Sequence, residues 1–302
     1  MQIYDTIIIG GGPAGLSAAI YLGRFLRSVL VIDDGDGRST YQQINENYLG
    51  FPDGIAATDL RKLGEKQAEK FGAGFVSDEV HDIEGSFGSF IVKGEKEYHA
   101  KTIILATGVT DKFPLFENSK EYIGKSIFWC ITCDGFQAKD KKVIVIGNDD
   151  EAASNSLELL NYTKHLTLLT NNDKGESNIS SEHKRLLEKH HISIIENCLV
   201  NVEGENGMIS RVDLDNGQAL PVDLIFSYQG SNPNSSLAFK LKLDHTKKGF
   251  IIVDHTQMTS MKGIYAAGDV ATGHSHQIVA AACEGSNAAE AINYELYEDF
   301  QK

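Results

Sequence analysis

Cys130 and Cys133 stand in the run Trp129-Cys-Ile-Thr-Cys-Asp-Gly135, a C-x-x-C spacing. Thiols so placed either cycle between dithiol and disulfide or hold a metal, and a reducing compartment admits both. At a turn or helix N-terminus one thiol of such a pair has a lowered pKa, because the helix dipole favours the thiolate. The adjacent carboxyl of Asp134 can then protonate a leaving thiolate. A metal would need further ligands. His274 and His276 are candidates, but they lie far from the cysteines in the chain, unlike the short, regular spacings of structural zinc sites. The residues therefore favour redox chemistry and no metal. Cys198 and Cys283 stand alone, and Cys198 reads as a core or interface thiol.

A second group of residues could hold a nucleotide. Asp5-Thr-Ile-Ile-Ile-Gly-Gly-Gly-Pro-Ala-Gly15 is a buried strand running into a glycine turn. A helix over Leu16–Leu26 follows, then a strand over Val29–Ile32 that ends at Asp33 and Asp34. This is a βαβ opening with the G-x-G-x-x-G fingerprint at Gly10, Gly12 and Gly15. The glycines serve the tight turn, the approach of a pyrophosphate and the packing of helix on strand. The pyrophosphate would sit at the helix N-terminus, with Asp33 placed to accept from a ribose hydroxyl.

The elements around these residues set the architecture. Residues 74–101 read as short alternating strands with glycine turns, a β-meander, and Thr102–Gly108 as another buried strand. Gly263–Asp269 repeats that form, and an Ala- and Glu-rich helix over Gln277–Leu296 follows. Between them Lys142-Val-Ile-Val-Ile-Gly147 restates the first strand. A helix (Ala152–Tyr162) and a strand (Leu166–Leu169) then match the first unit without a gap. The fold expected is α/β with two Rossmann-like domains, one inserted in the other. The FAD/NAD(P)-type outer domain would span 1–114 and 246–302, and a central domain 115–245 would carry the C-x-x-C.

The 302 residues suit two domains, and 41% apolar with 23% charged residues is the balance of a protein with real cores. A formal charge of −14 argues against nucleic acid and anionic membranes as partners. There is no bilayer-length apolar run, and Met1–Tyr4 leads straight into a strand without a secretory pattern, so a cytoplasmic enzyme is expected.

The chain resembles the low-molecular-weight thioredoxin reductases. The glycine start motif, Ala106-Thr-Gly108, Trp129–Gly135, Ala267-Gly-Asp269 and Gln277–Gly285 occur in that family's order. The resemblance implies an FAD-dependent enzyme that reduces thioredoxin or a similar protein disulfide, built as a homodimer. It implies that Gly10, Gly12, Pro13, Ala14, Gly15, Asp33, Asp34, Asn47, Ile83, Gly108 and Asp269 hold FAD. Gln277 and Ile278 would lie against the isoalloxazine. It further implies that Cys133 faces the flavin, Cys130 attacks the partner disulfide and Asp134 shuttles the proton. Cys283 stands where the family usually has glycine.

The second βαβ unit departs from that pattern. Asp149 stands opposite Gly12, Ala152 opposite Gly15 and Thr170 opposite Asp33, so Asp149, Asp150 and Glu151 face the place of a dianionic pyrophosphate. One like-charge pair at ~6 Å costs roughly 3 kcal/mol at an effective dielectric of about 20. After the second strand, Thr170–Asn178 has one lysine and no arginine for a 2′-phosphate. The pattern resembles the ferredoxin-dependent flavin branch of the family, which implies ferredoxin or flavodoxin as electron donor and not NADPH. Arg24, Arg27, Lys139, Lys141 and Lys142 are candidate docking cations. Other readings stay open: a dithiol oxidase passing electrons to oxygen, an NAD(P)H-dependent reductase and a flavin redox sensor. The aromatic tail Tyr294–Phe300 could cover a flavin face.

Overall fold

A computed structural model describes residues 2–172, 177–272 and 275–298. The chain forms two compact units, one of residues 1–41, 48–110 and 232–302, the other of 42–47 and 111–231. Among the described residues no helix is long and apolar enough to cross a membrane.

The first unit is built on a seven-stranded sheet. Ile3–Ile9 lies between Val29–Asp33 and Glu97–Leu105, parallel to both, and Gly74–Ser77 extends the parallel edge beside Val29–Asp33. The other side of Glu97–Leu105 is shared. Its first half pairs antiparallel with Phe90–Lys93 and its second half parallel with Ile264–Ala266. What reads in sequence as separate short strands near 97 and 102 is thus one nine-residue strand. Gly74–Ser77 likewise pairs in parallel with the nucleotide-binding half, while Asp82–Glu84, Phe90–Lys93 and Glu97–Leu105 make the meander. Alternation reports a strand's exposed face and not its partner, so sequence periodicity could not separate these.

Strand residues alternate between two cores. Ile7, Ile9, Ile103 and Leu105 face a core with Ile83, Phe90 and Ile251. Ile8, Val31 and Ile104 face the first helix, Pro13–Arg24, and the C-terminal helix, Ile278–Glu298. The first helix presents Ala14, Ala18, Ala19 and Leu22 there, so the backbones come close. Gly285 is where they come closest: a Cβ at that position would collide with the Ala14 carbonyl oxygen.

The second unit repeats the design in parallel strands. Lys142–Ile146 lies between Leu224–Ser227 and His165–Leu169, with Ile127–Phe128 and Ser193–Ile195 at the edges. Helices Asp150–Glu158 and Ser181–Lys189 cover one face through Ala152, Ala153 and Leu187. A three-stranded antiparallel sheet, Leu199–Glu205, Met208–Leu214 and Ala219–Pro221, covers the other through Val202, Val212 and Leu214. The sequence repeat is a structural one: Gly10 N donates to Ile32 O at 2.9 Å, and Gly147 N to Leu169 O at 3.1 Å.

Gly285→Ala should force the two helices apart and cost about 1–3 kcal/mol, as overpacking of a close contact does. Urea unfolding of the variant beside wild type measures this, and an unchanged midpoint would reject the close-approach reading.

Candidate functional site: a dinucleotide cradle and a redox turn

The cradle belongs to the first unit. Gly10 has φ +107, and a Cβ there would strike the Ala106 carbonyl. A Cβ on Gly15 would strike the carbonyl of Gly10. At Gly12 the reverse holds, with nothing within 4 Å of a Cβ. Gly12 is also the N-cap of the first helix, extended at φ −78, with no side-chain cap and no acidic residue in the first turn. Pro13 opens the helix and gives up a backbone donor that would lack a helical partner anyway. The remaining first-turn N–H groups therefore face open space, a geometry that fits a phosphate.

One carboxylate meets this turn directly. Asp33 Oδ1 accepts from Gly11 N at 2.8 Å, and its Oδ2 accepts from Gly35 N at 3.2 Å and pairs with Arg61. The neighbouring Asp34 is exposed and caps Asp36 N at 3.0 Å, so successive strand residues point apart and only Asp33 reaches the turn. Asp269 pairs with Arg38 Nη1 at 2.7 Å. Gly268 N donates to the buried Glu284 at 2.6 Å, which ties the end of the Ile264–Ala266 strand to the C-terminal helix. Gln277 carries the start of that helix: its carbonyl accepts from Ala281 N at 2.9 Å, and Ile278 is the first helical residue. Gly108 has φ +65 with open space where a Cβ would be. Ile83 is buried in the core, so only its backbone is free to meet a ligand.

The redox turn belongs to the second unit. Cys130 and Cys133 are joined as a disulfide with Cα atoms 5.3 Å apart. Cys130 is the N-cap of the short helix Ile131–Asp134, and Cys133 N donates to its sulfur at 3.1 Å. That N–H would favour a thiolate on Cys130 after reduction. Asp134 is buried, and desolvation, with the nearby Glu46 carboxylate adding, pushes its pKa up to about 7. Residues 42–47 travel with this unit: Asn47 Nδ2 donates to Thr132 O at 3.4 Å, and Gln137 Nε2 to Glu46 at 3.1 Å.

The second βαβ turn is closed by its own side chains. Asp149 takes the N-cap place of Gly12, and its Oδ1 accepts from Ala152 N at 3.0 Å. Asp150 Oδ1 accepts from Ser180 N at 2.7 Å and lies 3.2 Å from His183 Nδ1, contacts that hold its pKa below the usual carboxylate value. Thr170 is buried, and Asn171 Oδ1 accepts from Leu199 N at 2.8 Å.

Sequence reading missed Arg38, Arg61, Glu46 and Glu284. Glu284 lay inside a quoted motif; the arginines carry no local signal, because their partners are distant in the chain. Cys283 is exposed, Cys198 half-buried, and Tyr294 and Tyr297 exposed on the last helix. His274 and Phe300 lie outside the described residues.

Comparison with known proteins places this geometry. The family described as pyridine nucleotide-disulphide oxidoreductase matches residues 4–285. Thioredoxin reductase of Bacillus subtilis is 31% identical over 98% of this chain and 96% of its own length. That of Treponema pallidum is 34% identical over 95% of each. The crystal structure of thioredoxin reductase from Streptococcus pyogenes superposes with a TM-score of 0.91 at 28% identity, covering 98% of this chain and 99% of that one. With a glycine cradle that fits FAD and a C-x-x-C disulfide, the chain belongs to the low-molecular-weight thioredoxin reductase family of flavin-dependent disulfide oxidoreductases, whose members are FAD-binding flavoproteins.

Proposed function

We propose that the protein reduces thioredoxin, or a similar protein disulfide, through Cys130 and Cys133, with electrons from a protein carrier such as ferredoxin or flavodoxin and not from NADPH. One observation carries the donor reading: Asp149 caps the Asp150–Glu158 helix with its own carboxylate, where an incoming pyrophosphate would need those N–H groups. Asp149 takes up one first-turn donor, Ala152 N, and the Asp150 and Asn171 side chains are engaged by Ser180 N and Leu199 N, which supports this reading. The reading carries with it a homodimer, as the family resemblance implies, and a cytoplasmic location, as expected from the sequence.

FAD, when bound and reduced by two electrons from the carrier, would supply the pair that reduces the Cys130–Cys133 disulfide. Gly10–Gly15, Asp33 and Asp269 would hold it. The Cys130 thiolate attacks one sulfur of the partner disulfide, forming a mixed disulfide and releasing a thiolate that takes a proton from Asp134. Cys133 then attacks the Cys130 sulfur, which frees the second partner thiolate and restores the internal disulfide. Cys133→Ser should therefore trap thioredoxin on Cys130 as a mixed disulfide seen by mass spectrometry. Trapping by Cys130→Ser instead would reverse the assignment.

The proton role has a pH signature. Asp134 titrates at about 7, above its ordinary 3.8, so the acid form is present below that pH and is lost as pH rises through it. The rate of thioredoxin reduction should fall above about pH 7. Asp134→Asn should be slower by on the order of 10²-fold and lack that limb. An identical alkaline limb in the variant would assign it to another group.

An acidic carrier docking on a chain of net charge −14 needs local cations. Arg24 lies over the Phe71 ring at 5.4 Å, Arg27 bonds Asn293 at 2.9 Å, and Lys139, Lys141 and Lys142 are exposed beyond the redox turn. Reduced ferredoxin and NADPH, supplied separately under anaerobic conditions, decide the donor. Ferredoxin should drive thioredoxin reduction that weakens with salt, and efficient NADPH turnover at micromolar KM would defeat the proposal.

A further inference from the structure

Arg61 sits on the Ala57–Lys70 helix, yet its side chain is only 15% exposed because it turns toward the glycine cradle. Nε donates to Glu65 Oε1 at 2.9 Å, an ordinary one-turn pair on a helix surface. Nη2 goes further and pairs with Asp33 Oδ2. The same nitrogen lies 3.4 Å from where a Cβ on Gly11 would stand, so the guanidinium borders the cradle itself. Among the described residues Nη1 donates to nothing.

Charge gives that placement a reason. A dianionic pyrophosphate at the Gly12 turn would meet Asp33, which is held close by the Gly11 N–H at 2.8 Å. Like charges at one turn repel unless a cation offsets them. The first turn of the helix has no acidic side chain, and Gly12 supplies no cap, so Arg61 is the cation that faces this carboxylate. A planar guanidinium can hold a carboxylate with one nitrogen and donate elsewhere with another.

We infer that Arg61 is a cofactor-binding residue: Nη2 fixes Asp33 on the glycine turn while Nη1 donates to the adenosine diphosphate half of FAD, at a ribose hydroxyl or a pyrophosphate oxygen. The inference rests on the chain holding FAD and is independent of the electron donor.

The test uses the apoprotein titrated with FAD and, separately, with ADP, which carries the adenosine and pyrophosphate without the flavin. Arg61→Gln should weaken both by about tenfold or more, the loss expected for a hydrogen bond to a charged group. Arg61→Lys keeps the charge without the fork and should fall between the variant and wild type. A urea midpoint measured without ligand separates cofactor loss from general destabilisation. FAD and ADP constants within about twofold of wild type, or a loss for FAD with none for ADP, would overturn the inference. If Arg61→Gln does not fold, an Arg61→Lys protein that binds both ligands as tightly as wild type overturns it. A wild-type apoprotein that takes up neither ligand removes the cradle as a cofactor site and this inference with it, whereas NADPH-driven turnover would remove only the donor proposal.

Discussion

A helix begins with backbone N–H groups that have no partner within it, and something must satisfy them. The functional parts of this protein differ in what that something is. At Gly12 the chain offers no side-chain cap and leaves room, a geometry that fits a phosphate. At the equivalent place in the repeat, Asp149 accepts from one of them, Ala152 N, with its own side chain. At the redox turn a sulfur does so, with Cys133 N donating to Cys130. The same backbone requirement is thus met in three ways: by open room, by a carboxylate and by a sulfur.

Closing a turn with a carboxylate stabilises the helix, since losing such a cap typically costs about 1 kcal/mol. It also occupies one first-turn donor and places negative charge there. The parallel sheet and the layers that cover it hold together through apolar residues away from this turn. The strand-end contact Gly147 N to Leu169 O is preserved although the neighbouring chemistry is not.

In the first unit three carboxylates have specific partners. Asp33 is met by backbone and Arg61, Asp269 by Arg38, and the buried Glu284 by Gly268 N. Half-buried ion pairs of this kind contribute little net stability, because desolvation offsets attraction. Their value lies in holding carboxylates in one orientation around a site that must accept a charged, polar ligand. The redox turn follows the opposite rule. Burial and the nearby Glu46 carboxylate raise the pKa of Asp134, which keeps its proton available near neutral pH.

Local spacing carried much of this in the sequence alone. The glycine turn, the two βαβ units and the C-x-x-C with Asp134 are legible because each depends on residues a few positions apart, where backbone geometry leaves few alternatives. The carboxylate cap of the second turn was equally legible, as Asp149 replaces a glycine within one turn. Tertiary structure decided the rest. It merged the segments near 97 and 102 into one strand with two different neighbours, chose Asp33 over Asp34, and carried residues 42–47 to the second unit. It also joined Arg61 to Asp33 across 28 positions and Arg38 to Asp269 across 231. Such pairings leave no trace in composition or periodicity, because an ion pair needs only that packing bring two side chains together, and packing is set by the whole core.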